Sequence, residues 1–162
     1  MKFFDDIRIG DPREFGKHTF TAAEIKRFAQ SFDPQPFHLD EEAARRSHFG
    51  ALCASGWHTT AACMRLIVDY HKRLAAEMTA EGEQPAKVGP SPGFKNLKWL
   101  KPVRPGDSLS MRLTVLDKRE PKSRPDLGFV QCRCEVLNQH GEVVLEATYP
   151  GMFAKRKHEA AE

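Results

Sequence analysis

Ser55-Gly56-Trp57-His58-Thr59-Thr60-Ala61-Ala62-Cys63-Met64-Arg65-Leu66-Ile67-Val68 is the stretch whose reading decides the fold. Ser55 is a good N-cap, because its hydroxyl can accept from a backbone N–H of the first helical turn. From Ala61 to Val68 every residue except Arg65 is apolar, and the helical pattern runs on to about Met78. A helix apolar over most of its circumference is buried on several sides. Beyond Tyr70 the pattern turns amphipathic and charged. The expectation is a central helix, wrapped along its first half and emerging into solvent along its second.

Downstream, residues 79–93 carry Gly82, Pro85, Gly89, Pro90, Pro92 and Gly93, which read as a loop long enough to be functional. Past Phe94 the apolar period changes to two. Leu97 and Trp99 alternate with polar residues, as do Leu109, Met111, Leu113 and Val115. The same holds for Val130, Cys132, Cys134 and Val136, and for Val143, Leu145, Ala147 and Tyr149. Clean alternation argues antiparallel strands with one buried face. Asn138-Gln139-His140-Gly141 reads as the turn joining the last two strands.

Upstream of the central helix, Glu14 to Phe20 reads as a first strand. Thr21-Ala22-Ala23-Glu24 matches a capping box, with Glu three residues after Thr. The helix it opens places Ala22, Ile25, Phe28, Ala29 and Phe32 at helical spacing and must stop at Asp33, before Pro34. Leu39 to Arg46 is a short polar helix with acids early and bases late, matching the helix dipole. The sum is an α+β fold, an antiparallel sheet curved around a long central helix. The 162 residues form one domain, with 1–13 as a polar lead-in and 154–162 as a tail, both peripheral.

The first helix delivers Phe32-Asp33-Pro34-Gln35-Pro36-Phe37-His38-Leu39-Asp40. Asp33 and Gln35 each precede a proline, so neither should be helical. A short extended segment stiffened by two prolines then holds a carboxylate and an imidazole at a set distance, as acid–base chemistry requires. Read alone, the same segment is also an ordinary Asp-Pro turn after a helix.

With its flanking helices, this segment resembles the signature of the MaoC-like hydratases, the family that includes the (R)-specific enoyl-CoA hydratases. Their pattern runs Asp-x-Asn-Pro-aliphatic-His, and Asp33, Pro36 and His38 stand at the same offsets. Gln35 replaces the usual Asn, and Phe37 the usual aliphatic residue. The resemblance extends from about Phe15 to about Phe153. It implies a single hot-dog unit, pairing as a homodimer or a larger even assembly. It also implies a cofactor-free, metal-free hydro-lyase of fatty-acid metabolism that adds water across the 2,3 double bond of an acyl-CoA or acyl carrier protein thioester.

On that reading Asp33 and His38 hold one water, with Asp33 as the expected main base. The helix N-terminus at Gly56 offers unpaired N–H groups for the thioester oxygen, and the resemblance points to the same glycine. Gly56 also reads simply as a close-packing position. Gln35, Phe37, Ser55 and Trp57 are the expected substrate contacts. The hydratases often carry a serine one turn into this helix; here its place falls on Ala61, beside Thr59 and Thr60. His58 reads as a packing histidine and stays outside the site. Lys95, Lys98, Lys101 and Arg104 read either as contacts for coenzyme A phosphates or as the solvent face of a strand.

Two rival functions share this fold. A thioesterase would aim an activated water at the carbonyl carbon, against which the Asp-x-x-Pro-x-His spacing argues. A non-catalytic acyl-CoA-binding subunit would explain the Gln35 and Ala61 departures but not Asp33, His38 and Gly56 together. A nucleic-acid partner is not expected. The net charge is only +3, and the basic residues are scattered without interleaved aromatics. No apolar run approaches membrane-spanning length, and Met1 to Asp6 has no signal-peptide core. The four cysteines, Cys53, Cys63, Cys132 and Cys134, include no Cys-x-x-Cys pair. They read as reduced thiols of a cytoplasmic protein rather than zinc ligands.

Overall fold

The structure, a computed structural model, describes residues 2–10, 12–87 and 89–156. A 3-10 turn at Phe4–Asp6 precedes strand β1 (Pro12–Thr19) and helix α1 (Ala22–Phe32). Two short helices follow, α2 (Pro36–Leu39) and α3 (Glu41–Arg46), and then the long α4 (Gly56–Ala80). The chain closes with β2 (Lys95–Trp99), β3 (Ser108–Arg119), β4 (Leu127–Leu137) and β5 (Val143–Ala154). The five strands form one antiparallel sheet in the order β1-β3-β4-β5-β2. Curved around α4, this is the hot-dog arrangement.

Register carries the period-two pattern across the sheet. Phe15 faces Met111 between β1 and β3, Met111 faces Val136 on β4, and Val136 faces Leu145 on β5. These side chains are buried in one core with Cys63, Leu66 and Ile67 of α4. The α1 capping box forms as read. The Thr21 hydroxyl accepts from Glu24 N at 3.2 Å, and the Glu24 carboxylate accepts from Thr21 N at 3.1 Å. Asp40 caps α3 by accepting from Ala43 N at 2.8 Å, and Ser55 caps α4.

Three expectations need correcting. His38 does not lie on an extended segment. Gln35 is extended, but Pro36 then starts a one-turn helix, because its fixed φ suits the first helical position. The sheet covers only one side of α4, so Thr59, Cys63, Leu66 and Ile67 are buried while Trp57, Met64 and Val68 remain 58%, 42% and 38% exposed. The lead-in is not peripheral either, because Phe4 is buried against Val130 and Cys132 of β4. A Cβ at Gly128 would lie 2.1 Å from the Phe4 ring, so glycine is what lets that ring dock. At the other end, Arg156 pairs with Asp6; residues 157–162 of the expected tail lie outside the described residues.

The loop after α4 runs along β5. Gly89 N donates to Met152 O at 3.1 Å, and the Ser91 hydroxyl to Pro150 O at 2.9 Å.

Candidate active site

Asp33 caps the C-terminus of α1, its N–H donating to Ala29 O at 2.9 Å. The two prolines then turn the chain so that α2 aims His38 inward, where it is only 5% exposed. His38 Nδ1 lies 2.7 Å from the carbonyl oxygen of Cys53. A carbonyl only accepts, so Nδ1 carries the proton and donates. In the neutral ring that leaves Nε2 as an acceptor, and Nε2 lies 3.5 Å from Asp33 Oδ2. Two acceptors therefore face one point, and a molecule with two protons to donate, such as water, satisfies both.

The other Asp33 oxygen is held by Gln35, whose Nε2 donates to Oδ1 at 2.8 Å. Burial on its own raises the Asp33 carboxyl. Hydrogen bonds from the Ser55 hydroxyl and Gln35, with the nearby His38, outweigh that and hold it below its ordinary value. Asp33 is thus a carboxylate at neutral pH, suited to accept a proton. The Cys53 thiol is pushed up by burial and stays protonated.

The α4 N-terminus forms the facing wall. Ser55 Oγ accepts from Trp57 N at 3.2 Å, which leaves its proton for Asp33. At Gly56 a Cβ would lie 2.4 Å from the indole of Trp99, so the close-packing reading of this glycine holds. Trp99 is fixed there by a hydrogen bond from Nε1 to Thr60 Oγ1 at 3.2 Å, and Thr60 donates to Gly56 O at 2.8 Å. Asp33, Gln35, Phe37, His38, Ser55, Gly56 and Trp57 all line one cleft of about 610 Å³. Thr59 lines it as well, while Thr60 serves to hold Trp99.

Sequence reasoning did not find the Cys53 carbonyl, which selects the His38 tautomer; it is a backbone group and leaves no mark in the residue type. Trp99, read as one of the alternating apolar residues of a strand, stands over Gly56 through the bulged pairing of β2 with β5. His58 does not line the cleft but packs on Phe20 and stacks on Phe28 at 4.6 Å. Lys98 and Lys101 pair with Glu146 and Glu142, and Arg104 donates to the carbonyls of Phe49 and Ala51, bracing the chain that leads to Cys53. None of the described residues of the 79–93 loop lines the cleft. Among the described residues, no group of three or more His, Cys, Asp or Glu is placed to hold a metal, and no helix is long and apolar enough to cross a membrane.

The MaoC like domain matches residues 6–128. The chain belongs to the MaoC-like dehydratase family. A MaoC-like dehydratase from Rhodospirillum rubrum, known from its crystal structure, is 43% identical, with a TM-score of 0.82 over 98% of this chain and 100% of that chain. YdeM, an uncharacterised protein of Bacillus subtilis strain 168, is 31% identical over 142 residues, covering 88% of this chain and 92% of that protein. A shorter match joins this MaoC-like chain to mesaconyl-CoA hydratase of Cereibacter sphaeroides, 42% identical over 64 residues, which are 40% of this chain and 18% of that protein.

Proposed function

We propose that this MaoC-like protein is a hydro-lyase that adds water reversibly across the 2,3 double bond of an enoyl thioester. The observation that carries the reading is the convergence of Asp33 Oδ2 and His38 Nε2, 3.5 Å apart, beside the N-terminus of α4. Water bound between them donates one hydrogen to each. Asp33 takes its proton as the oxygen adds to C3, while the other hydrogen stays on the new hydroxyl, oriented by His38. The thioester becomes an enolate, whose oxygen faces the Gly56 N–H at the positive end of α4. Asp33 returns its proton to C2 on the same face, so water is consumed and the protein is unchanged.

The likeness to mesaconyl-CoA hydratase supports a coenzyme A ester over an acyl carrier protein. Four free buried thiols fit a reducing compartment, the cytoplasm. The exposed apolar face of α4 supports a homodimer or a larger even assembly.

The test is hydration of short, long and branched trans-2-enoyl-CoA esters by wild type and Asp33→Asn. The expected result is an (R)-3-hydroxyacyl product, slowed about 10²–10⁴-fold in the variant. Free coenzyme A without hydration would establish a thioesterase instead. Neither reaction, together with thermal stabilisation by the acyl-CoA, would establish a binding subunit.

A further inference from the structure

A second cavity lies between the far half of α4 and the concave face of the sheet, and the proposed chemistry does not use it. Its volume is about 70 Å³. No described residue lines both this cavity and the Asp33–His38 cleft. At 1.5 Å per residue, Tyr70 on its wall lies about 21 Å along α4 from Gly56.

The interior is apolar, built from Leu74 of α4, Leu113 and Val115 of β3, Val130 and Cys132 of β4, and Phe153 of β5. The rest of the described lining is Ile7, Tyr70, His71 and Tyr149, with three cations, Lys2, Arg8 and Arg13. Among the described residues none of these three joins an ion pair, and Arg13 Nη1 donates only to the Tyr70 hydroxyl, at 3.4 Å. No carboxylate is among the described lining residues. Three cations around one cavity with no carboxylate among the described lining favour an anion placed among them. The apolar inner wall favours an apolar guest, and the cavity, at about 10–15 Å³ for each water-sized unit, has room for a short tail.

We propose that this cavity binds a short-chain aliphatic carboxylate, its tail between α4 and strands β3–β5 and its carboxylate among Lys2, Arg8 and Arg13. Burial pushes the Tyr149 hydroxyl up, so it faces the guest as a neutral donor.

The aromatic residues give a clean test. The chain has two tyrosines and two tryptophans. Tyr70 and Tyr149 both line this cavity, and Trp57 and Trp99 both line the cleft. The full chain is labelled with fluorotyrosine, and separately with fluorotryptophan, and titrated with hexanoate by fluorine NMR. Hexanoate is expected to shift the tyrosine signals saturably and leave the tryptophan signals in place. Neutral hexanol of the same chain length is expected to bind about tenfold more weakly, the worth of one charge-assisted contact. Arg13→Gln should weaken hexanoate to a similar extent, and Leu74→Phe, which fills the cavity, should abolish the tyrosine shifts. Unchanged tryptophan spectra in both variants show that the fold is intact. Shifts confined to tryptophan, equal binding of hexanol, undiminished binding by Leu74→Phe, or no saturable shift at millimolar hexanoate would each overturn the proposal.

Discussion

The Gln35 amide and the Ser55 hydroxyl both hydrogen-bond the Asp33 carboxylate, and together with His38 they hold it below its ordinary value against the opposing effect of burial. Such a group supports stability above its unfolded value of 3.8, and that support is lost as pH falls through the lower folded value. The base is active only when ionised, so the acid limb of kcat/KM reports its folded value. Gln35→Ala removes one of the interactions that lower it. The limb therefore moves to higher pH, while the neutral-pH plateau falls less than in Asp33→Asn. A pH profile of kcat/KM checks this, and an unmoved limb would mean that Asp33 is not the ionising base. His58 shows the opposite balance. Its Nδ1 is buried without a hydrogen-bond partner among the described residues, and burial pushes the ring down to about 4 from 6.5. Below 6.5 the unfolded chain binds a proton that the folded chain refuses until about 4, so stability falls across that window as pH drops. His58→Leu keeps the packing against Phe20 and Phe28 and removes the proton site. Urea midpoints at about pH 7 and about pH 5 are expected to differ clearly in wild type and to draw together in the variant.

At the scale of elements, the N-terminus of α4 and the end of β2 are one unit, joined by the hydrogen bonds from Trp99 to Thr60 and from Thr60 to Gly56. Gly56→Ala puts a methyl 2.4 Å from the indole, so Trp99 must leave its place. The single variant is expected to melt lower, and in Gly56→Ala/Trp99→Ala the two losses should not add. The coupling should be about 0.5–3 kcal/mol, measurable in a double-mutant cycle. Strict additivity would show that the indole was never held. The helix limits here were legible because they are local: the Thr21–Glu24 capping box, the Ser55 cap and the stop before Pro34 each act within one turn. The strands were legible because Leu109 to Val115 and Val130 to Val136 alternate without interruption. Gly128 carried no such signal, since its partner Phe4 is remote in sequence. The Asp33–His38 pairing was legible from spacing, whereas the proton on Nδ1 depends on a Cys53 carbonyl that only the folded chain brings near.

At the scale of the whole molecule, five strands cover one side of α4 and leave the other open. Trp57, Ala61, Met64 and Val68 fall at helical spacing on that open face, all exposed. The sequence predicted burial there because an apolar run does not say which molecule will cover it. Trp57 also lines the cleft, so whatever covers this face borders the candidate site. A second copy of the chain is the proposed cover, and Val68→Glu is the sharpest probe. The residue is already 38% exposed in a single chain, so a carboxylate there keeps water in the monomer. In a dimer that buries this face the same carboxylate loses that water, a strongly unfavourable exchange. Sedimentation should show wild type as a dimer or larger even assembly, and the variant as a monomer with unchanged far-ultraviolet circular dichroism. A monomeric wild type would end the dimer proposal. If the monomeric variant hydrates enoyl-CoA as fast as wild type, one chain completes the cleft; if its rate collapses with the fold intact, the second copy supplies part of the wall beside Trp57.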